Sequence, residues 1–316
     1  MSDQTPAAPV LPEKKKSKTG LIVGIAAAVV IVLGVAAAFV IPALNAPAQA
    51  SGEENPTVVT IGVTNEAEDY WQILKDLALD EGIEIQLVNF TEYPLPNPAL
   101  AAGETDLNSF QHLDYLSNHN VATGDNLQPI SSTVIVPLPL YSEKYDSVDD
   151  IPKGAEIAIP NDPSNQGRAI NVLASAGLVV LIGDPAIPSP ADIDAEKSTV
   201  VVTPVEASQT VAALPSIGGA VINNNFALDA GIDPATALYF VDPEDPLSWP
   251  YLNVIAARAD DIDNPTFLKV AELWHSKAVT DAVVASSGNT AVLVDLSGEE
   301  LRKRLKSIED AKRAAL

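Results

Sequence analysis

Apolar and polar positions alternate along most of this chain with two periods, and the switches between them mark out elements. Thr57 to Val63 is β-branched and apolar, as a strand would be. Ile73, Leu74, Leu77 and Ala78 recur at helical spacing across 69–80, and Ile83 to Val88 is strand-like again. That βαβ opening is followed by similar alternation to about residue 285, which predicts an α/β fold with mainly parallel strands. Glu104 to Asn108 and Ile157 to Pro160 read as further strands. Ser297 to Leu316 carries Leu301, Leu305 and Ile308 on one helical face and is expected to dock on the protein's own body, with lipid contact as the alternative.

Two apolar stretches lack helical punctuation: Val134 to Leu140, interrupted by prolines, and Leu238 to Asp245. Each reads as a crossover between two α/β lobes. Residues 57–136 and 245–316 would form one lobe and residues 137–244 the other. In such architectures ligands bind beyond the carboxyl ends of strands and at domain interfaces.

The first fifty residues are of a different kind. Residues 1–20 form a basic segment with Lys14, Lys15, Lys16 and Lys18, expected on the cytoplasmic side. Leu21 to Leu44 is 24 residues without a charge, long enough to cross a bilayer as a helix. Ala48-Gln49-Ala50 before Ser51 offers a cleavage site, so a secretory signal is the alternative, although signal cores usually run only about 7–15 residues. An uncleaved anchor is favoured, with a polar linker at 45–56. On either reading the body of the protein lies outside the cytoplasm, secreted if the chain is cut after Ala50.

Without those fifty residues the chain keeps 14 of its 18 basic and 40 of its 42 acidic groups, a net charge of −26. Such a surface repels nucleic acid and anionic headgroups. There is no cysteine, which excludes disulfides, thiolate metal sites, cysteine catalysis and a lipidated thiol.

Two polar turns carry candidate chemistry. Asn161-Asp162-Pro163-Ser164-Asn165-Gln166-Gly167-Arg168 follows a strand and opens a helix near Ser164 or Asn165. Free N–H groups at a helix start suit an anion, and Arg168 adds a fork that fits a carboxylate. The plainer reading is an ordinary junction, capped by Ser164 or Asn165, with Arg168 in solvent. Asn223-Asn224-Asn225 ends a second apolar strand, and Asn223 offers both a donor and an acceptor to an amino acid's backbone groups. A left-handed asparagine turn is the alternative. Tyr93, Phe110, His112 and Tyr115 lie near strand ends and could line an apolar slot, or simply pack in the core. His112, His119 and His275 do not have zinc-site spacing, and no metal or cofactor is expected. The chain has no G-x-S-x-G, G-x-x-x-x-G-K-[ST] or G-x-G-x-x-G motif.

Four segments together resemble the substrate-binding proteins of methionine ABC importers, the MetQ/NlpA family: PNPALAAGETDLNSFQH (96–112), YSEKYDSVDDIPKGAEIAIPNDPSNQGRA (141–169), GAVINNNFALDAG (219–231) and PYLNVIAAR (250–258). The resemblance runs from about Val58 to Ala285. It implies a bilobed, type II-like periplasmic-binding fold that closes on a free amino acid, and no catalysis. Carried over by position, Arg168 would hold the ligand carboxylate with Asn161 and Asn165 nearby. Asn223 and Asn225 would meet the backbone groups, and Tyr93, Phe110, His112 and Tyr115 would surround the side chain. The partners implied are methionine, a membrane permease and its ATPase.

The chain also departs from the family pattern. Ser109 stands where members commonly have tyrosine, and Thr64 to Trp71 replaces a Gly/Pro/His-containing loop. Both changes fall at the expected pocket mouth and bear on side-chain specificity, leaving another amino acid or a methionine dipeptide as alternative ligands. Members are usually lipoproteins, and the missing cysteine fits an anchor made by residues 21–44 instead. Rival readings of another class are a hydrolase using His112 with neighbouring acids, and a surface interaction protein that no longer transports.

Overall fold

The computed structural model describes residues 55–185 and 187–315. The expected anchor or signal at 21–44 lies outside them, as do residues 1–20 and nearly all of the 45–56 linker. Among the described residues no helix is long and apolar enough to cross a membrane.

The β-branched opening becomes β1 (Thr57–Val63), followed by α1 (Tyr70–Asp80), which buries Trp71, Leu74 and Ala78 at helical spacing. Then come β2 (Ile83–Asn89), α2 (Pro96–Ala102), β3 (Leu107–His112), α3 (Leu113–Thr123) and the long β4 (Leu127–Ile135). After residues 136–139 the chain builds β5 (Leu140–Tyr141), β6 (Ala155–Pro160), α4 (Pro163–Ser175), β7 (Val200–Val205), α5 (Thr210–Ala213), β8 (Gly219–Val221) and α6 (Asn224–Asp229). It returns as β9 (Leu252–Arg258), then α7 (Pro265–Trp274), α8 (Lys277–Ser286), β10 (Val292–Leu293) and α9 (Gly298–Ala315).

These strands form two sheets, one of six strands in the order β10-β4-β9-β3-β1-β2 and one of four in the order β5-β8-β6-β7. The smaller sheet is parallel except for β5. The larger one is mixed, which corrects the expectation of mainly parallel strands: β1, β2 and β3 are parallel, but β9 runs antiparallel to both β3 and β4. The cause is the route of the chain. It leaves the six-stranded sheet along β4 and re-enters beside it, so the returning strand points the opposite way. The outgoing and returning segments also bond to one another, Leu140 N–H to Tyr239 O and Leu238 N–H to Leu140 O, each at 2.8 Å.

β3 starts later than its sequence suggests, at Leu107 rather than Glu104. Gly103 closes α2 in the left-handed region (φ 77°), and Asp106 is then tied across to β1, its carboxylate accepting from the Thr60 N–H and hydroxyl. Residues 104–106 therefore form a turn, and Phe110, Gln111 and His112 lie on the strand itself instead of after it. On the same side of this sheet as α2, α9 inserts Leu301 and Leu305 among Leu100, Leu113, Leu116, Leu127 and Leu252. It docks on the protein's own body.

Candidate functional site

Two helix starts on the four-stranded side define one wall of a cleft. β6 ends at Pro160, Asp162 stays extended (φ −67°, ψ 140°), and its carboxylate accepts the Asn165 N–H at 2.9 Å. The cap is thus Asp162 and not Ser164 or Asn165. Pro163 at the first helical position needs no hydrogen-bond partner, which favours starting there. Freed from capping, Asn165 is buried in the cleft. Its Oδ1 accepts from Asn223 Nδ2 at 3.0 Å and lies 3.4 Å from His112 Nε2.

One turn further on, Arg168 is only 8% exposed, which excludes the solvated reading. Its Nη2 donates to the Val136 carbonyl at 2.6 Å, and its guanidinium lies 4.3 Å from the Tyr251 ring centroid. Burial brings its pKa down to about 10, so it remains a cation at neutral pH. Among the described residues no carboxylate lies within ion-pair distance of it. A buried guanidinium held only by a carbonyl and an aromatic face is a costly arrangement unless an anion joins it.

The second helix start is the asparagine run. Asn223 occupies the position before α6 in extended geometry (φ −62°, ψ 141°) and makes no capping bond, while Asn224 and Asn225 begin the helix. The left-handed alternative is excluded, since Asn289 is the one non-glycine with positive φ among the described residues. Asn223 Oδ1, Asn224 Oδ1 and Asn225 Nδ2 are buried with no partner among the described residues. Asn225 Oδ1 accepts from the Tyr93 hydroxyl, which reaches it from the opposite wall.

That opposite wall belongs to the six-stranded side and is aromatic. Tyr93, Phe110 and Tyr115 form a triangle with centroids 5.8 to 6.1 Å apart, and Phe226 of α6, on the four-stranded side, meets Tyr93 with its ring 5.0 Å away. His112 is the N-cap of α3, its Nδ1 accepting the Tyr115 N–H at 3.1 Å. A ring nitrogen that accepts carries no proton, so Nε2 holds it and faces Asn165. Burial first, then the nearby Arg168 charge, push the His112 pKa down and keep the ring neutral. With both nitrogens engaged, His112 is a poor candidate for the general base of a hydrolase.

A bulge in β3 sets this wall. Asn108 pairs with Ala256 and Gln111 with Val254, so Ser109 and Phe110 together face the single Ile255. The extra residue puts Asn108 and Gln111, three apart, on the same face. Both bond Asn97 of α2: Asn97 Nδ2 to Gln111 Oε1 at 2.7 Å, Gln111 Nε2 to Asn97 Oδ1 at 2.6 Å, and Asn108 Nδ2 to Asn97 Oδ1 at 3.2 Å. The two bulged residues, Ser109 and Phe110, both line the cleft.

Eight of the nine expected residues thus meet around one cleft of about 880 Å³, part of it open to solvent: Tyr93, Phe110, His112, Tyr115, Asn165, Arg168, Asn223 and Asn225. Asn161 is not among them. It is exposed and donates to Glu206 Oε1 at 2.7 Å, outside the cleft, because the chain stays extended until Asp162 turns it into α4. Tyr251 and the Val136 carbonyl join the site without having been among the expected residues. Tyr251 falls in the segment 250–258, but nothing local marks a ring that will lie under an arginine 83 positions earlier.

Residues 59–293 match the model of the NlpA lipoprotein family. The D-methionine-binding lipoprotein MetQ of Escherichia coli O157:H7 is 33% identical over 235 residues, covering 73% of this chain and 86% of that protein. Among solved structures, the substrate-binding protein of a methionine transporter from Streptococcus pneumoniae is 34% identical (TM-score 0.71, 75% of this chain and 95% of that one). A nutrient-binding protein from Burkholderia cenocepacia, solved bound to methionine, is 31% identical (TM-score 0.69, 74% and 99%). With a match over most of its length, an α/β substrate-binding fold and relatives of this kind, the chain belongs to the NlpA lipoprotein family.

Proposed function

We propose that this protein is an extracytoplasmic solute receptor that captures a free amino acid, methionine first among them, and delivers it to an ABC importer. The observation that carries this reading is the buried Arg168 guanidinium without a counter-ion among the described residues, set beside Asn223, Asn224 and Asn225, whose amide atoms also lack partners there. A carboxylate fits the guanidinium as a two-pronged acceptor. Asn223 Oδ1 and Asn224 Oδ1 can accept from an ammonium, and Asn225 Nδ2 can donate. The rings of Tyr93, Phe110 and Tyr115 would then border the side chain, where a thioether gains roughly 0.3–1.5 kcal/mol per aromatic contact. The neutral His112 would add a polar edge without a charge.

In this reading residues 57–136 with 245–316 and residues 137–244 are two lobes that close on the ligand, and the closed form is what a permease with its ATPase recognises. Residues 21–44 would tether the domain to the membrane, since the chain has no cysteine to carry a lipid. No bond of the ligand is made or broken. The relatives are named as binding proteins, in keeping with a receptor and not an enzyme.

A thermal-shift screen of the fragment from Ser51 onward tests this, after unfolding and refolding to release any carried ligand. The panel holds L- and D-amino acids and methionine dipeptides. A ligand present at a hundred times its Kd adds about 2.7 kcal/mol of stability. A selective shift with methionine is expected. A shift with dipeptides alone would change the ligand, and no shift with any amino acid or dipeptide would overturn the receptor reading.

A further inference from the structure

The match to the family model stops at residue 293, and α9 (Gly298–Ala315) lies beyond it. Most of α9 is an amphipathic helix packed by Leu301 and Leu305, with surface pairs such as Lys306 to Asp310. Lys312 is different. It is a lysine only 8% exposed, and its ammonium has three protein acceptors: Asp114 Oδ1 at 2.7 Å, the Asp114 carbonyl at 3.1 Å and Asn118 Oδ1. The other carboxylate oxygen of Asp114 accepts from the hydroxyl of Ser164. Ser164 is buried in the first turn of α4, the helix that carries Asn165 and Arg168. Asp114, in the first turn of α3, directly follows His112 and Leu113. A single carboxylate therefore connects the last turn of α9, on the six-stranded side, with the helix start on the four-stranded side.

The Asp114 carboxylate is only 14% exposed, so a cation beside it offsets its partial desolvation, and its charge already reaches Arg168. Lys312 does two things at once. It neutralises Asp114, and by holding Oδ1 it leaves Oδ2 aimed across the cleft at Ser164.

We propose that Lys312 is a positioning residue for closure of the cleft: α9 acts as a clasp that holds Asp114 in the orientation that latches Ser164, and so sets how long a ligand stays bound. The ligand part of this rests on the amino-acid receptor reading, but the clasp itself does not. Because the contact lies outside the ligand's own shell, its effect falls on dissociation and not on selectivity.

The test is a double-mutant cycle on the dissociation rate of methionine, by stopped-flow, with Lys312→Met, Ser164→Ala and the double variant. Each single change is expected to speed release by about three- to tenfold, and the double by no more than the larger single, because both break one chain of contacts. Lys312→Arg, which keeps a cation, should recover part of the slow release. Rates that multiply in the double variant, or a Lys312→Met rate equal to the parent, would overturn the proposal. Ser164→Ala leaves α9 untouched, so it still reports on the latch if Lys312→Met unfolds the helix. If the parent protein binds no amino acid, the receptor reading fails and the clasp is judged in ligand-free protein. The chain has no cysteine, so spin labels on Glu104→Cys and Glu143→Cys, both at exposed positions, read the distance across the cleft. A longer or broader distance in Lys312→Met and Ser164→Ala supports the clasp, and an unchanged one refutes it.

Discussion

The six-stranded side brings five aromatic rings (Tyr70, Tyr93, Phe110, Tyr115 and Trp274) and a neutral imidazole to the cleft, whereas the four-stranded side brings a guanidinium and four asparagine amides. The polar wall is made by two short segments, each the start of a helix that follows a parallel strand. The aromatic wall has no such local logic. Tyr93 sits in a turn, Phe110 in a bulge and Tyr115 in the first turn of a helix, and they meet only because β3 and its neighbours are paired in a particular register. On the proposed reading one wall recognises what all amino acids share, and the other distinguishes among them.

That division predicts effects of different kind. Arg168→Ala on the polar wall should weaken every amino-acid ligand by at least tenfold in calorimetry, a loss of about 1.4 kcal/mol or more. An unchanged affinity would remove Arg168 from the site and with it the assignment of that wall. Phe110→Ala on the aromatic wall should shift selectivity more than affinity in general, by about three- to tenfold against long apolar side chains relative to alanine or glycine. Equal losses for all ligands would show that both walls do the same work.

A third effect, on stability and not on binding, concerns His112, where the walls touch through Asn165. Its pKa is lower in the folded protein than in the unfolded chain, so acid favours the unfolded form. Stability should be indifferent to this group above pH about 6.5 and fall by roughly 1 kcal/mol for each pH unit below it, until the folded ring itself takes a proton. His112→Asn keeps an acceptor for the Tyr115 N–H and should flatten that part of the pH profile in denaturant unfolding. Parallel profiles for the two proteins would mean that the ring is protonated in the native cleft.

Much of the fold is legible in the residues alone. β1, α1 and β2 lie within a residue or two of their expected bounds, because period and β-branching act locally. The strand–turn–helix unit that brings Asn165 and Arg168 together is legible for the same reason, being local in the chain. Local pattern misleads where distant contacts overrule it. Glu104 to Asp106 has strand-like neighbours but is drawn into a turn by Thr60, 46 positions away from Asp106. Asn161 resembles a site residue by adjacency, yet extended backbone sends it to Glu206.

The sequence by itself determined the element types, the anionic surface, the absence of thiol chemistry and the strand–turn–helix unit that carries Asn165 and Arg168, since each depends on residues close together or on composition alone. Tertiary structure decided the rest: the antiparallel entry of β9, the Tyr251 ring beneath Arg168, the asparagine-locked bulge that turns both Ser109 and Phe110 to the cleft, and the line from Lys312 through Asp114 to Ser164. These are contacts between side chains far apart in the chain, as much as 198 positions for Lys312 and Asp114, or between strands whose pairing depends on the whole sheet. Their energies come from burial and desolvation, which exist only once the walls have come together.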